Sequence, residues 1–491
     1  MLVCAVVLSG QSLQKFRTFY SLDEVKVPDA KTAKASDEVE WTAASHGLYR
    51  GDKEYFAGKR YLPDDEVVGL RPDASRGMWV RTRMGVSHIE LREMTLEQKA
   101  AAFEERVRLR HDRYGMVSDS HLAKSGDLST NVLESSDNDG LWTAMYGAAE
   151  CFRYAVTKDP DALARARRAV EAVLFLEEVT GVPGLPARSY VKAGDPRPKD
   201  GVWHWTADRQ IQWKGDTSSD ESVGHFFVLS IAFDLLDDPA LKARMAAAAR
   251  KMMDYIIAHG YNLIDVTGKP TTWGKWSPEY FAGQGKSDSA LNALELLSFL
   301  KVTEHMTGDG KYAAEYKKVA VDMKYAEQAA RYIELREEIN YSDEELAMLS
   351  FYPFLRYQQD EAVLRGLDQW WQNCVREKNP LWTYIYRVGR PEAKVDLEGA
   401  VATLERIPMD LISWKVVNSD RRDVVMEKAL DRANERQART WLPPDERPVM
   451  KWNGNPFVVD GGNGGFSEDD GAVFLLPYWM GRFFEMVPAG R

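Results

Sequence analysis

The sequence predicts a mainly α-helical protein, an (α/α)6 toroid preceded by a small β-module, and three observations carry that expectation. First, a polar, acidic turn running into a nearly uncharged helix recurs about six times. It is found at Ser135-Ser136-Asp137-Asn138-Asp139-Gly140-Leu141-Trp142, Ser219-Asp220-Glu221, Ser287-Asp288, Ser342-Asp343-Glu344-Glu345 and Ser467-Glu468-Asp469-Asp470, with a weaker version at Asp396-Leu397-Glu398-Gly399. Second, each such helix is paired with one that is charged on a single face. A helix that is apolar all round must be buried, whereas an amphipathic one keeps a wet side. Pairs of this kind imply an inner and an outer ring. Third, the long polar loops 113–136, 180–218, 260–287 and 437–470 all precede an inner helix, so they would gather on one face.

In chain order, residues 1–37 read as leader or linker. Leu2-Val3-Cys4-Ala5-Val6-Val7-Leu8-Ser9 resembles the apolar core of an export signal without a basic n-region. It points to a secreted or periplasmic bacterial protein. Residues 38–93 read as short strands separated by Gly, Asp and Pro turns: 40–43, 47–50, 67–70, 77–82 and 85–89. Residues 94–491 form the helical domain. Thr95 with Gln98 can cap a helix reaching about 112, which supplies the sixth outer member. Leu141, Met145, Ala148 and Phe152 lie on one stripe of a helix over 139–156. Asp159-Pro160 then opens a partner to about 179, and Asp238-Pro239 opens another over 239–259 behind an inner helix at 220–236. The remaining pairs are 288–306 with 310–334, 343–358 with 360–376 and 397–414 with 421–436, and the closing helix is 471–485.

Composition excludes several functions. The 491-residue chain has a formal net charge of −11, with no local Lys/Arg cluster. Nucleic acid and anionic membrane both reward basic faces, so neither is an expected partner. No stretch is long and apolar enough to span a bilayer. Oligomeric state is left open. Of three cysteines, Cys151 and Cys374 fall in helical patterns as apolar fillers. There is no Gly-x-Ser-x-Gly, no HExxH and no Cys pair, and Asp460-Gly461-Gly462-Asn463-Gly464-Gly465 lacks the Lys-Ser/Thr of a P-loop. Asp137-Asn138-Asp139-Gly140 starts like a calcium loop but continues through Leu141 out of register. Neither a metal nor a cofactor is expected.

The chemistry should lie where the inner helices begin. Asp137, Asp139, Asp220, Glu221, Asp288, Glu344, Glu468 and Asp469 would approach one funnel. A single acid at a helix start is accounted for as a cap or a dipole partner. The pairs Asp137/Asp139, Asp220/Glu221 and Glu468-Asp469-Asp470 exceed what capping requires. Glycoside hydrolysis needs two carboxyls, one protonated and one ionised, and a crowded acidic funnel separates their pKa values. Asp139 or Asp137 is the expected acid/base, and Asp220 or Glu221 its partner. His204, between Trp203 and Trp205, is a ligand or acid/base candidate. Arg188, Tyr190, Trp203, Trp205, Asp216, His225, Trp276, Glu468 and Asp469 are the expected substrate contacts, with His225 equally readable as a core residue. The 15 tryptophans, many beside polar residues, suit stacking against sugar rings.

Two resemblances add to this. Leu62-Pro63-Asp64-Asp65-Glu66-Val67, Asp73 with Gly77-Met78-Trp79, and Thr82-Arg83-Met84-Gly85-Val86 resemble the two-component regulator propeller repeat, which implies between one and two blades of a sensor-like module. The helical part, with Asp137-Asn138-Asp139-Gly140-Leu141-Trp142 and Leu476-Pro477-Tyr478-Trp479-Met480-Gly481-Arg482, resembles the six-hairpin glycosidases. The unsaturated glucuronyl hydrolases, which use inner-helix aspartates, are the nearest comparison within them. That likeness implies a glycoside hydrolase acting on an acidic or plant/algal poly- or oligosaccharide. Polysaccharide lyases on toroid scaffolds use Tyr and His, so Tyr190 with His204 gives a lyase or epimerase as the alternative. A non-catalytic glycan-binding or sensory module is the third reading.

Overall fold

Strand-forming residues alternate between inside and outside early in the chain, as in Met78-Trp79-Val80-Arg81-Thr82, where the odd positions of the run are buried. The computed structural model describes residues 10–44, 46–336 and 338–491. The apolar stretch 2–9, with Cys4, lies outside the described residues. Eight strands make two antiparallel four-stranded sheets: β1 (Gln11–Tyr20), β8 (Val86–Thr95), β7 (Met78–Thr82) and β6 (Val67–Pro72) in that spatial order, and β2 (Thr32–Lys34), β3 (Glu40–Ala43), β4 (Leu48–Arg50) and β5 (Glu54–Phe56). Trp41, Leu48 and Phe56 of one sheet share a core with Val67, Met78, Val80 and Ile89 of the other. The two sheets therefore cover each other's apolar faces without further blades. Within the span expected to be leader or linker, β1 pairs with β8 from Gln11 opposite Thr95 to Tyr20 opposite Val86, so the β-module begins well before residue 38.

Buried charge ties this module to the helical part. Lys15 Nζ lies 2.5 Å from Asp445 and 3.0 Å from Glu54, while Arg406 reaches Asp445 at 2.8 Å and Glu446 at 2.9 Å. Arg60 donates to the Asp445 and Arg447 carbonyls. The β-module thereby holds the long segment 437–470 against the helices.

The helices are α1 (Leu96–Arg110), α2 (Asp139–Thr157), α3 (Pro160–Glu178), α4 (Ser219–Leu235), α5 (Pro239–Ala258), α6 (Pro278–Ala282), α7 (Ser289–Thr307), α8 (Gly310–Lys317), α9 (Tyr325–Ala329), α10 (Tyr332–Leu335), α11 (Tyr341–Tyr357), α12 (Glu361–Cys374), α13 (Pro380–Gly389), α14 (Leu397–Arg406) and α15 (Ala472–Phe483). Six of them pack in sequence: α2 on α4, α4 on α7, α7 on α11, α11 on α13, α13 on α15, and α15 back on α2. The circuit closes. Outside it, α3 packs on α2, α5 on α7, α8 and α9 on α7, α12 and α14 on α13, and α1 on α15. One apolar core runs through both layers.

Outer and inner helices start differently. Asp159, Asp238, Asp309, Asp360 and Asp396 each cap an outer helix by accepting from a first-turn amide, and Thr95 with Gln98 forms a capping box at α1. The N-cap residues of α2, α4, α7 and α11 make no side-chain cap hydrogen bond. Of these four only Asp288 carries a carboxylate, and the other acids, Asp139, Asp220 and Asp343, lie in the first turns of their helices.

The fifth pair departs from expectation. The inner member is α13, opened by Asn379 accepting from the Leu381 and Trp382 amides and by Pro380 at its first position. Residues 397–406 form the outer helix α14, and Glu398, Glu405 and Arg406 give it a polar side. The expected helix over 421–436 is a hairpin instead, with Met426–Lys428 pairing with Arg436–Ala438. The single helix expected over 310–334 is broken by a π-turn at Lys318–Asp322.

Candidate active site

The starts of α4, α7 and α11 bring Asp220, Asp288 and Asp343 to one open cavity of about 810 Å³. Arg188 and Arg432 also line it, with Trp273 and Tyr280 as its aromatic wall. Asp288 Oδ2 accepts from the Tyr280 hydroxyl at 2.7 Å and Oδ1 from Ser287 at 3.0 Å. Asp343 Oδ1 accepts from Asn340 at 2.6 Å. Burial, followed by the charge of Asp288 and opposed by Arg432, pushes the Asp343 carboxyl up to about 7. One carboxyl of the group is thus close to half-protonated at neutral pH. Asp220 is half-buried at the first turn of α4, directly at the cavity wall. Trp273 is 52% exposed on the hairpin strand Pro270–Lys275, which is held down by the Thr272 amide and hydroxyl donating to Asp216, each at 2.8 Å.

A second tier of acids lies beneath. Glu221, Glu295 and Glu345 follow from the same helices and are fully buried. Neither oxygen of Glu221 or Glu345 has a hydrogen-bond partner among the described residues, and Glu295 accepts only from the Trp276 indole at 2.7 Å. Burial, with Asp220 adding to it, raises Glu345 to about 8. Burial likewise holds Glu221 and Glu295 well above the carboxylate range. A Cβ on Gly140 would fall 1.8 Å from Glu221 Oε2, so glycine is what lets that carboxyl lie against α2.

Asp139 does not face the cavity. It is fully buried, with Arg113 and the Ser189 hydroxyl each donating to Oδ2 at 2.5 Å and the Ser136 amide and hydroxyl donating to Oδ1. Its oxygens are saturated, so the expected acid/base at 139 is a structural post. Asp137 is exposed and paired with Lys214; burial is outweighed by Lys214 and Arg188, which hold its carboxyl below the usual range.

Glu468 and Asp469 line a separate polar cavity of about 570 Å³ on the α15 side of the ring. Arg106 at 2.9 Å, Arg110 at 2.5 Å and His111 at 3.5 Å surround Glu468. Burial raises its carboxyl, but His111, Arg110 and Arg106 outweigh that and hold it at about 2. Burial and Asp470 push Asp469 up to about 6. Glu344 is also turned away from the funnel. It lies with Cys374 and Glu377 in a buried group whose ligand atoms are within 4.8 Å of one another, and Arg336 already sits 3.3 Å from it.

Several expected contacts belong to the scaffold. Both His225 nitrogens meet backbone carbonyls, of Glu221 at 2.6 Å and Val173 at 3.0 Å, and burial pushes its pKa down to about 4. Trp276 is fully buried. Tyr190 packs between Tyr114 and Phe175, and burial raises its hydroxyl to about 12, the wrong direction for a base. His204 leans on Trp213, with ring centroids 4.5 Å apart, in the small sheet that also carries Trp203 and the exposed Trp205. None of His225, Trp276, Tyr190, His204, Trp203 and Trp205 lines the acidic cavity. Of the residues expected at the funnel, Asp220, Asp288 and Arg188 do. Asp343 was visible only as part of the recurrent Ser-acid turn, and Arg432 gave no sequence signal because its segment was read as helix.

No protein-family model matches the chain, and no curated protein matches it. Among solved structures, it is similar to AaCel9A in complex with a cellobiose-like isofagomine, with a TM-score of 0.42 and 12% identity over 98% of this chain and 96% of that one. It is also similar to a thermostable endoglucanase from Alicyclobacillus acidocaldarius, with a TM-score of 0.41 and 14% identity over the same shares.

Proposed function

We propose that the closed helix circuit is a six-hairpin (α/α)6 toroid and that its acidic cavity hydrolyses glycosidic bonds in a poly- or oligosaccharide. The observation that carries this reading is the trio Asp220, Asp288 and Asp343 on three ring helices, facing one aromatic-walled cavity in which one carboxyl is held up to about 7. Asp343 would protonate the departing glycosidic oxygen. Asp220, which accepts no side-chain hydrogen bond among the described residues, would act as the ionised partner, activating water or attacking the anomeric carbon. Asp288, tied to Tyr280, would keep Asp343 protonated by its charge. Trp273 offers an exposed indole for a sugar face. The β-module would act as a support for the 437–470 segment.

The test is incubation of wild type, Asp343→Asn and Asp220→Asn with a panel of neutral and uronic-acid-containing saccharides, read by new reducing ends and by ultraviolet absorbance. Hydrolysis gives reducing ends without an absorbance gain. Each substitution should lower turnover by about 10²–10⁴-fold, the usual contribution of a positioned acid or base. Activity should also fall as pH rises through about 7, because Asp343 must carry the proton it donates. Unchanged turnover in both variants on every cleaved glycan would remove the assignment.

A further inference from the structure

The acidic cavity contains two guanidiniums, of Arg188 and Arg432, that form no salt bridge with its carboxylates among the described residues. Arg188 donates through Nε to the Asp137 carbonyl at 2.7 Å, and through its terminal nitrogens to the Asp216 carbonyl and Asn138 Oδ1, each at 3.1 Å. All three acceptors are neutral. They fix the guanidinium at the cavity wall and leave its charge intact. Neither neighbouring acid forms a salt bridge with it: burial holds the Glu221 carboxyl well above its usual range against the opposing charge of Arg188, and Asp137, which also feels Arg188, is paired with Lys214. On the opposite wall, Arg432 forms no ion pair among the described residues, while its backbone amide is pinned to the Ile339 carbonyl and its field reaches Asp343. Elsewhere around the ring mouth each guanidinium meets a carboxylate: Arg113 has Asp139, and Arg106 and Arg110 share Glu468. In a chain of net charge −11, two guanidiniums in one cavity that form no salt bridge among the described residues need an explanation.

We infer that this cavity takes a sugar chain bearing an anionic substituent, a carboxylate or a sulfate, and that Arg188 and Arg432 receive it. The inference rests on reading the cavity as a saccharide site. A guanidinium fork with its back donors already engaged presents its remaining N–H groups in a fixed plane, which suits a two-oxygen contact with an oxyanion. The same charges would repay the approach of an anion to Asp220 and Asp288, which otherwise repel it.

Binding is measured separately from turnover, by calorimetry or by the change in tryptophan fluorescence that a ligand on Trp273 should cause. The probes are tetrasaccharides matched in length: a neutral glucan, a galacturonan and a sulfated galactan. The catalytically silent Asp343→Asn protein provides the binding baseline. One anionic probe should bind at least about tenfold tighter than the neutral one at low salt, and the better of the two identifies the substituent. Arg432→Gln, which breaks no hydrogen bond of the fold, should reduce that preference about tenfold and leave neutral binding unchanged. Arg188→Lys keeps the charge but loses the fork and its three hydrogen bonds to Asp137, Asp216 and Asn138, and should lose most of the preference while still melting as a folded protein. Equal binding of neutral and anionic probes, or a preference untouched by both substitutions, overturns the inference. If neutral glycans are hydrolysed in an Asp343-dependent way, the inference fails and the hydrolase stands. If anionic probes bind through the arginines with no new reducing ends, the hydrolase reading fails and the inference stands.

Discussion

Two arcs of the ring mouth begin from the same sequence device and end with opposite electrostatics. On the α2/α15 arc, Asp139 and Glu468 are surrounded by Arg113, Arg106, Arg110 and His111, and Glu468 is held at about 2. On the α4/α7/α11 arc, Asp220, Asp288 and Asp343 face an open cavity where Arg188 and Arg432 form no salt bridge among the described residues, and Asp343 rises to about 7. A Ser-acid turn at a helix start therefore does not specify a role. The role is set by what neighbouring segments bring: residues 106–113, the end of α1 and the turn after it, deliver three arginines and a histidine to the first arc, whereas the hairpin 262–275 delivers Trp273 to the second. Buried, paired acids rigidify the fold, and half-buried acids in each other's field are the ones poised to move protons.

The sharpest way to break this comparison is to neutralise one acid on each arc. Asp343→Asn should abolish most turnover, by about 10²–10⁴-fold, while the protein stays as stable as wild type or gains about 1 kcal/mol, because a strained acid has been removed. Glu468→Ala should do the reverse. It strands Arg106 and His111 in the interior, and breaking a buried pair from one side costs about 3–5 kcal/mol, with activity per folded molecule retained. Thermal melts and turnover measured on the same preparations check both. Equal losses of both properties in both variants would mean that the arcs do not divide the labour.

The division was only half legible in the sequence. Periodicity showed the closed pairing of buried and wet helices, because an uncharged run such as Gly224–Ile231 has only the core to go to. Caps at Asp159-Pro160 and Asp238-Pro239 located the outer helices. The fifth pair slipped because Leu397–Arg406 is short enough that its polar face was hard to weigh, while Pro380-Leu381-Trp382-Thr383-Tyr384-Ile385 reads equally as a buried strand. At the site, the acids at 220, 288 and 343 could be located as helix starts. Which of them would be neutralised could not, since Arg113 reaches Asp139 across 26 positions and Arg110 reaches Glu468 across 358. Long-range partners of that kind leave no local pattern. His225 illustrates the same limit: both of its ring nitrogens face carbonyls, one of them 52 positions away.

A smaller effect tests the contact between the arcs. Gly140 on α2 lies against Glu221 on α4, and Gly140→Ala would place a methyl group 1.8 Å from Glu221 Oε2. Overpacking of this kind costs about 1–3 kcal/mol. Shortening the acid should make room, so Gly140→Ala combined with Glu221→Ala should be more stable than the sum of the two single losses. Denaturant midpoints for the four proteins of the cycle measure the coupling. Strict additivity would show that the two residues do not meet.

The last effect is read from pH. Glu345 titrates near 4.5 when unfolded and near 8 when folded, because burial and Asp220 disfavour its charge. The unfolded chain therefore releases this proton first, and the native state is penalised progressively as pH rises from about 4.5 to about 8, with no further change above that. Glu345→Gln keeps the shape and cannot ionise. Its stability relative to wild type should thus increase across that window and level off at alkaline pH. Glu468 gives the opposite slope, since a carboxyl held at about 2 contributes stability above pH 4.5 that disappears as the pH falls towards 2. Chemical melts of wild type, Glu345→Gln and Glu468→Gln between pH 3 and 9 would separate the two arcs by the sign of their pH dependence. A Glu345→Gln curve parallel to wild type throughout would place a counter-charge beside Glu345, and the buried tier beneath the cavity would then be ionised rather than neutral.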